Sequence, residues 1–130
     1  MEIAPDLLQR IVDHARREAP YECCGYVVLD GERAVDVVEV ENVARSPLRF
    51  DMGSQAVLEL GRVMDESGVV IYHSHTRSEP RPSQTDMNFA ANWPGVEWLI
   101  VGLAGDEPDV RNWRIADGQA TQAEVRVDGA

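Results

Sequence analysis

The sequence contains no lysine. All 12 of its basic residues are arginine, which excludes a lysine nucleophile or Schiff base on this chain. Positive charge is also scarce overall, because 23 acids face those 12 bases and leave a formal net charge of −11. A body this acidic repels phosphate backbones and anionic lipid, so neither nucleic acid nor a membrane surface is an expected partner. No apolar run approaches the ~18 residues needed to span a bilayer. The acidic stretch from Met1 to Asp6 does not read as a signal peptide. Cysteine is limited to the adjacent pair Cys23 and Cys24. Neighbours cannot readily bridge each other, so a reduced, cytoplasmic setting is expected, with both thiols buried in a strand.

What is present suits a globular chain. Apolar residues make up 44% of 130 residues, enough for one core in a single domain over residues 1–130 without disulfide staples. Residues 5–18 read as a helix, with Pro5 in its first turn and Leu7, Leu8, Ile11, Val12 and Ala15 on one stripe. Two strands are expected at 23–30 and 34–41, joined at Asp30-Gly31. The segment 42–51 has no period and reads as a loop. Residues 53–67 read as a second helix and 69–75 as a buried strand. A polar loop follows over 76–82, and Ser83 reads as the N-cap of a third helix running to about Asn92. Strands are expected at 97–104, 110–116 and 120–127. The order α-β-β-α-β-α-β-β-β predicts an α/β fold, with a mixed central sheet and flanking helices.

Chemistry concentrates after the 69–75 strand. His73 and His75 lie two apart, so a strand presents both imidazoles on one face, with Ser74 on the other. The loop then returns the chain, and Asp86 falls in the first turn of the third helix. Two imidazoles and one carboxylate suit a catalytic Zn²⁺ with its fourth position left to water. Such a site needs a base that moves the water's proton to the leaving amine, and Glu22, just before the first long strand, is the candidate. The Ser83 hydroxyl is the candidate donor to a tetrahedral intermediate. Spacing alone leaves the plainer readings open: two satisfied histidines at a strand end, a first-turn acid, and a simple cap. His14 reads as a polar helix position without a role in the chemistry.

With those residues in hand, the chain resembles the JAMM (MPN-plus, JAB) zinc metallopeptidases. Their motif is an upstream Glu, then His-Ser/Thr-His, seven residues, Ser, two residues and Asp. Glu22, His73-Ser74-His75, Ser83 and Asp86 match every element. The Glu22-Cys23-Cys24-Gly25 strand start, the loop from Asn42 to Phe50 and the run Val69 to His75 resemble the small bacterial members. Among these, the similarity is greatest to the actinobacterial type that hydrolyses sulfur-carrier-protein–cysteine adducts. The resemblance implies a compact MPN/JAB1 fold like that of cytidine deaminases. It implies His73, His75 and Asp86 as zinc ligands, Glu22 as general acid/base and Ser83 as stabiliser of the intermediate. It further implies hydrolysis of the amide after the C-terminal Gly-Gly of a ubiquitin-like sulfur-carrier protein, releasing cysteine or another amino acid, and so a place in cysteine biosynthesis. An isopeptidase that removes a ubiquitin-like modifier from lysines is the alternative, and a non-catalytic MPN scaffold is the third reading. Arg45, Arg49, Arg77 and Arg81 are expected to flank the groove, where they are available to hold an extended tail or an acidic carrier.

Overall fold

A computed structural model describes residues 1–129 of the chain. In chain order its elements are β1 (Glu2–Ile3), α1 (Pro5–Glu18), β2 (Cys24–Asp30), β3 (Arg33–Val40), α2 (Gly53–Met64), β4 (Gly68–His75), α3 (Gln84–Ala90), β5 (Glu97–Gly102), β6 (Asp109–Ala116), β7 (Gln119–Ala123) and β8 (Arg126–Val127). Pro5 occupies the start of α1, where its missing N–H costs nothing, and Ala19-Pro20 ends that helix. The mixed α/β arrangement matches the expectation from sequence.

The strands form one sheet in the order β7-β6-β5-β4-β2-β3-β1-β8. β4 lies near its middle, antiparallel to β2 and parallel to β5. The parallel step from β4 to β5 carries α3 in its crossover.

The 120–127 expectation needs correction. This stretch is two strands on opposite edges of the sheet, β7 and β8. Three Cα steps from Ala123 to Arg126 reach about 11 Å at most. In a flat sheet of this width the outer strands would lie about 34 Å apart. The sheet therefore curls until its edges nearly meet. Met1 closes the gap: its amino group donates to the Glu124 carbonyl (3.1 Å), and its carbonyl accepts from the Arg126 N–H (2.8 Å). The alternation of Ala123-Glu124-Val125-Arg126-Val127 is unbroken, so the sequence carries no mark of this change of edge. The two-residue β1 is likewise too short to leave a pattern.

Two apolar clusters fill the two sides. Inside the curl, Ile11, Val12 and Ala15 of α1 pack with Ile3, Val27, Val70, Tyr72, Leu99 and Val101. On the outer face, Leu60 of α2 and Ala90 of α3 share a cluster with Cys24, Ile71, Trp98 and Ile100. Burying each large aliphatic side chain contributes about 1.5–3 kcal/mol. β4 is covered on both faces, which makes its end a rigid platform.

Gly25 shows how tightly β2 and β4 approach. A Cβ there would lie 2.4 Å from the Val38 carbonyl oxygen and 2.5 Å from the Tyr72 ring. Only glycine fits beside that ring, immediately below the strand end that carries the chemistry.

Candidate functional site

β4 is apolar through Tyr72 and ends in His73-Ser74-His75, all three buried. Strand alternation sends His73 to the outer face, where its ring lies 4.7 Å from that of Phe50. Ser74 points the other way, and its Oγ accepts the Cys23 N–H over 2.8 Å. His75 rejoins the His73 face.

The loop 76–82 is pinned rather than free. Pro80 packs over Gly102, where a Cβ would come within 2.8 Å of the proline ring. The Pro80 carbonyl accepts the Trp113 indole N–H (2.9 Å). Held in this way, the Glu79 carbonyl sits 2.8 Å from His75 Nδ1. A carbonyl only accepts, so Nδ1 carries the proton and Nε2 turns its lone pair toward the site.

The expected cap is present. Ser83 Oγ accepts the Asp86 N–H (3.1 Å), and Asp86 Oδ2 accepts the Ser83 N–H (2.9 Å), a reciprocal capping box at the start of α3. The Ser83 hydroxyl proton is not used by this cap and remains available to a substrate.

Three ligand atoms then converge. His73 Nε2 and His75 Nε2 are 3.2 Å apart, and each lies 3.1 Å from Asp86 Oδ2. A zinc ion bound at about 2.0–2.2 Å by two nitrogens and an oxygen requires neighbouring ligand atoms about 3.3 Å apart in a tetrahedron. The observed triangle therefore fits a metal ion. Hydrogen bonds alone do not explain it well, because the His75 Nε2 lone pair can accept only one proton while facing two neighbours. Burial works against ionisation of Asp86, but the neighbouring His73 and His75 imidazoles and the hydrogen bond from the Ser83 N–H outweigh it and hold its carboxyl well below the usual range. For His75, burial lowers the pKa, but Asp86 and the Glu79 carbonyl outweigh it and the net direction is upward.

Glu22 arrives from β2. The pairing of Cys24 with His73 sets the start of β2 beside the end of β4. Glu22 is 4% exposed, and its Oε1 has no hydrogen-bond partner. Burial pushes its carboxyl up to about 8, partly offset by His75 and reinforced by Asp86. A buried carboxyl near neutrality with a free oxygen is equipped to accept and release a proton.

Sequence reasoning missed Asn42. Its buried side chain donates from Nδ2 to the carbonyls of Glu22 (2.9 Å) and Arg49 (3.1 Å). The loop that read as featureless is thus built around one amide, and it fixes the Glu22 backbone. An Asn at the mouth of an aperiodic segment is a turn signal, but nothing in its spacing points to Glu22.

His14 has a structural place on α1. It is buried, with Nδ1 2.7 Å from the Tyr72 hydroxyl. Burial lowers its pKa, against the pull of Glu39. Cys23 and Cys24 are buried and free, as expected. Burial pushes the Cys23 thiol up to about 12 and Cys24 higher still, so neither is a reactive thiolate. Arg45, Arg49, Arg77 and Arg81 are all exposed. Arg45 shares a cleft with Glu22.

Residues 4–116 match the family described as prokaryotic homologs of the JAB domain. The chain belongs to this family. It is 38% identical over 133 residues to the CysO-cysteine peptidase of Mycobacterium tuberculosis, covering 96% of this chain and 89% of the relative. It is 34% identical over 115 residues to the desampylase of Haloferax volcanii, covering 81% and 82%. Its fold matches the crystal structure of a JAB1/MPN domain protein from Archaeoglobus fulgidus with a TM-score of 0.67 at 21% identity, covering 98% of each chain. This prokaryotic JAB protein is a hydrolase of peptide or isopeptide bonds. No described helix is long and apolar enough to cross a membrane.

Proposed function

We propose that this JAB-family chain, acting as one domain, is a zinc-dependent peptidase. Its reaction is hydrolysis of the amide that follows the C-terminal Gly-Gly of a ubiquitin-like sulfur-carrier protein, with release of cysteine or another amino acid. The observation that carries the chemistry is the triangle of His73 Nε2, His75 Nε2 and Asp86 Oδ2, with the unpartnered Glu22 carboxyl buried beside it. The 38% identity to a CysO-cysteine peptidase supports the substrate.

His73, His75 and Asp86 would hold the metal. When bound, zinc lowers the pKa of water to about 7 and so supplies a nucleophile near neutral pH. Glu22 takes a proton from the attacking water and delivers it to the nitrogen as the carbon–nitrogen bond breaks. Its buried position and unpartnered oxygen equip it to hold the proton between those two steps. Ser83 donates its free hydroxyl proton to the carbonyl oxygen as charge develops there. The Glu79 carbonyl holds the His75 tautomer, and Asn42 holds Glu22.

The test is direct. Zinc-loaded protein is incubated with a carrier ending in Gly-Gly-Cys, and intact mass is followed. Loss of one cysteine residue is expected. A carrier left intact while a lysine-linked conjugate is cleaved would transfer the assignment to an isopeptidase. Inertness toward both would leave the scaffold reading.

A further inference from the structure

A cleft of about 250 Å³ opens beside Glu22. His14 and Glu18 from the end of α1, then Tyr21 and Glu22, form one side of it. The end of β3 and the run after it form the other, with the acids Glu39 and Glu41 and the base Arg45 on the lining. The sheet order places this cleft on the β3 side of β2, whereas the histidines lie on β4. Glu22 therefore stands between the metal-ligating triangle and the cleft.

The chemistry gives that placement a meaning. In amide hydrolysis, water adds to the carbonyl carbon, the carbon–nitrogen bond breaks, and the nitrogen departs with an added proton. The group that supplies this proton must face the nitrogen. If Glu22 is that group, the leaving amine departs on the Glu22 side of the triangle, into this cleft. The volume suits one amino acid and is too small for a folded domain.

Arg45 is the one cation lining the cleft. Among the described residues it makes no ion pair, and neither do the loop arginines Arg49, Arg77 and Arg81, so its place in the cleft rather than its lack of a partner sets it apart. Its guanidinium lies over the Tyr21 ring, 5.4 Å from the centroid, which leaves the edges of the planar fork open to a carboxylate. Its backbone holds the left-handed conformation, with φ of 46°, that branched or long side chains rarely adopt. Asn42 holds it there: the Asn42 carbonyl accepts the Arg45 N–H (3.1 Å), and Oδ1 accepts the Ala44 N–H (3.0 Å). The same side chain anchors Glu22. One amide thus sets the spacing between the proton donor and the free cation. Glu18, Glu39 and Glu41 on the lining suit the ammonium that the leaving amine becomes, which leaves Arg45 as the group for its carboxylate. A cleft with one free guanidinium and nearby carboxylates is complementary to a zwitterion.

We propose that Arg45 binds the free α-carboxylate of the departing amino acid and selects adducts of free amino acids over lysine isopeptides. The assignment rests on the proposed role of Glu22 as proton donor. A lysine side chain within a protein has no carboxylate at this position, so it forgoes the contact.

Binding tests this without turnover. N-acetyl-Gly-Gly-Ala and its C-terminal amide are titrated by NMR into full-length, zinc-loaded Glu22→Gln protein. The acid should bind about tenfold tighter than the amide, as a charged hydrogen-bonded pair implies. Arg45→Met in the same background should abolish that preference. Arg16→Met, which removes an equal charge from an exposed position on α1, should preserve it. Equal binding of acid and amide, or a preference that survives Arg45→Met, overturns the proposal. Turnover by the wild-type protein separates the two ideas. Cleavage of the carrier without acid preference in the titration would retain the functional reading and remove Arg45 from it. An Arg45-dependent preference without cleavage of any carrier would retain the carboxylate site and remove the functional reading.

Discussion

The Asn42 side-chain amide donates to the Glu22 carbonyl over 2.9 Å, while its oxygen accepts the N–H groups of Ala44 and Asp51 at 3.0 Å each. Four hydrogen bonds, counting the one to the Arg49 carbonyl, converge on one buried side chain. Asn42→Ala should leave several of those backbone groups without partners and destabilise the protein by about 1–3 kcal/mol. Because Glu22 loses its anchor, kcat should fall while zinc content stays near one per chain. Denaturant unfolding, metal analysis and kinetics on the same preparation check this. A variant with unaltered kcat would separate Asn42 from the site.

Metal content follows from the triangle. Purified wild-type protein should carry about one zinc per chain, and His75→Ala should lose most of it. Chelation should abolish turnover, and added zinc should restore it. Elemental analysis beside activity measures both, and full activity in metal-free protein would sink the mechanism.

Glu22→Gln should retain zinc and lose turnover by roughly 10²–10⁴-fold. The same substitution should change how stability depends on pH in the metal-free protein. The unfolded carboxyl titrates near its model value of 4.5, and burial raises the folded one to about 8. Below the lower value both states hold the proton and there is no penalty. As pH rises from there through about 8, the unfolded state ionises first and the folded state must follow, so wild-type stability is lost. Glutamine has no such charge to bury. The difference in Tm between Glu22→Gln and wild type should therefore grow across this window and level off above it. A constant difference from pH 5 to pH 9 would show that the Glu22 carboxyl is not held in the neutral form.

Ser83 has two separable duties. Loss of the cap in Ser83→Ala should cost about 1 kcal/mol of stability. Loss of the hydroxyl donor should lower kcat by about 10²–10³-fold. Ser83→Thr keeps both functions and should recover much of each. If Ser83→Ala lowers Tm but leaves kcat intact, the residue is a cap alone.

Activity should decline below about pH 6, because protons compete with metal for histidine ligands. A flat rate profile down to pH 5, with metal content also unchanged, would argue against histidine ligation.

The amino-acid sequence by itself determined the local half of the site. Period-two alternation in a strand places His73 and His75 on one face, and the geometry of a helix start places Ser83 and Asp86 in reciprocal contact. These relations span a few residues, so chain geometry alone enforces them. The long helices and strands were legible for the same reason. The tertiary structure decided the rest. Glu22 becomes part of the site only because β2 pairs with β4, and its proton affinity is set by burial that no local pattern encodes. Asn42 acquires its role from groups that the fold carries to it. The change of edge between Ala123 and Arg126 follows from the curl of the whole sheet. His14 read from sequence only as a polar position on a helix, and the packing of α1 against Tyr72 is what buries it. Spacing along the chain fixes neighbours within a turn or a strand, whereas burial and long-range pairing are properties of the assembled sheet.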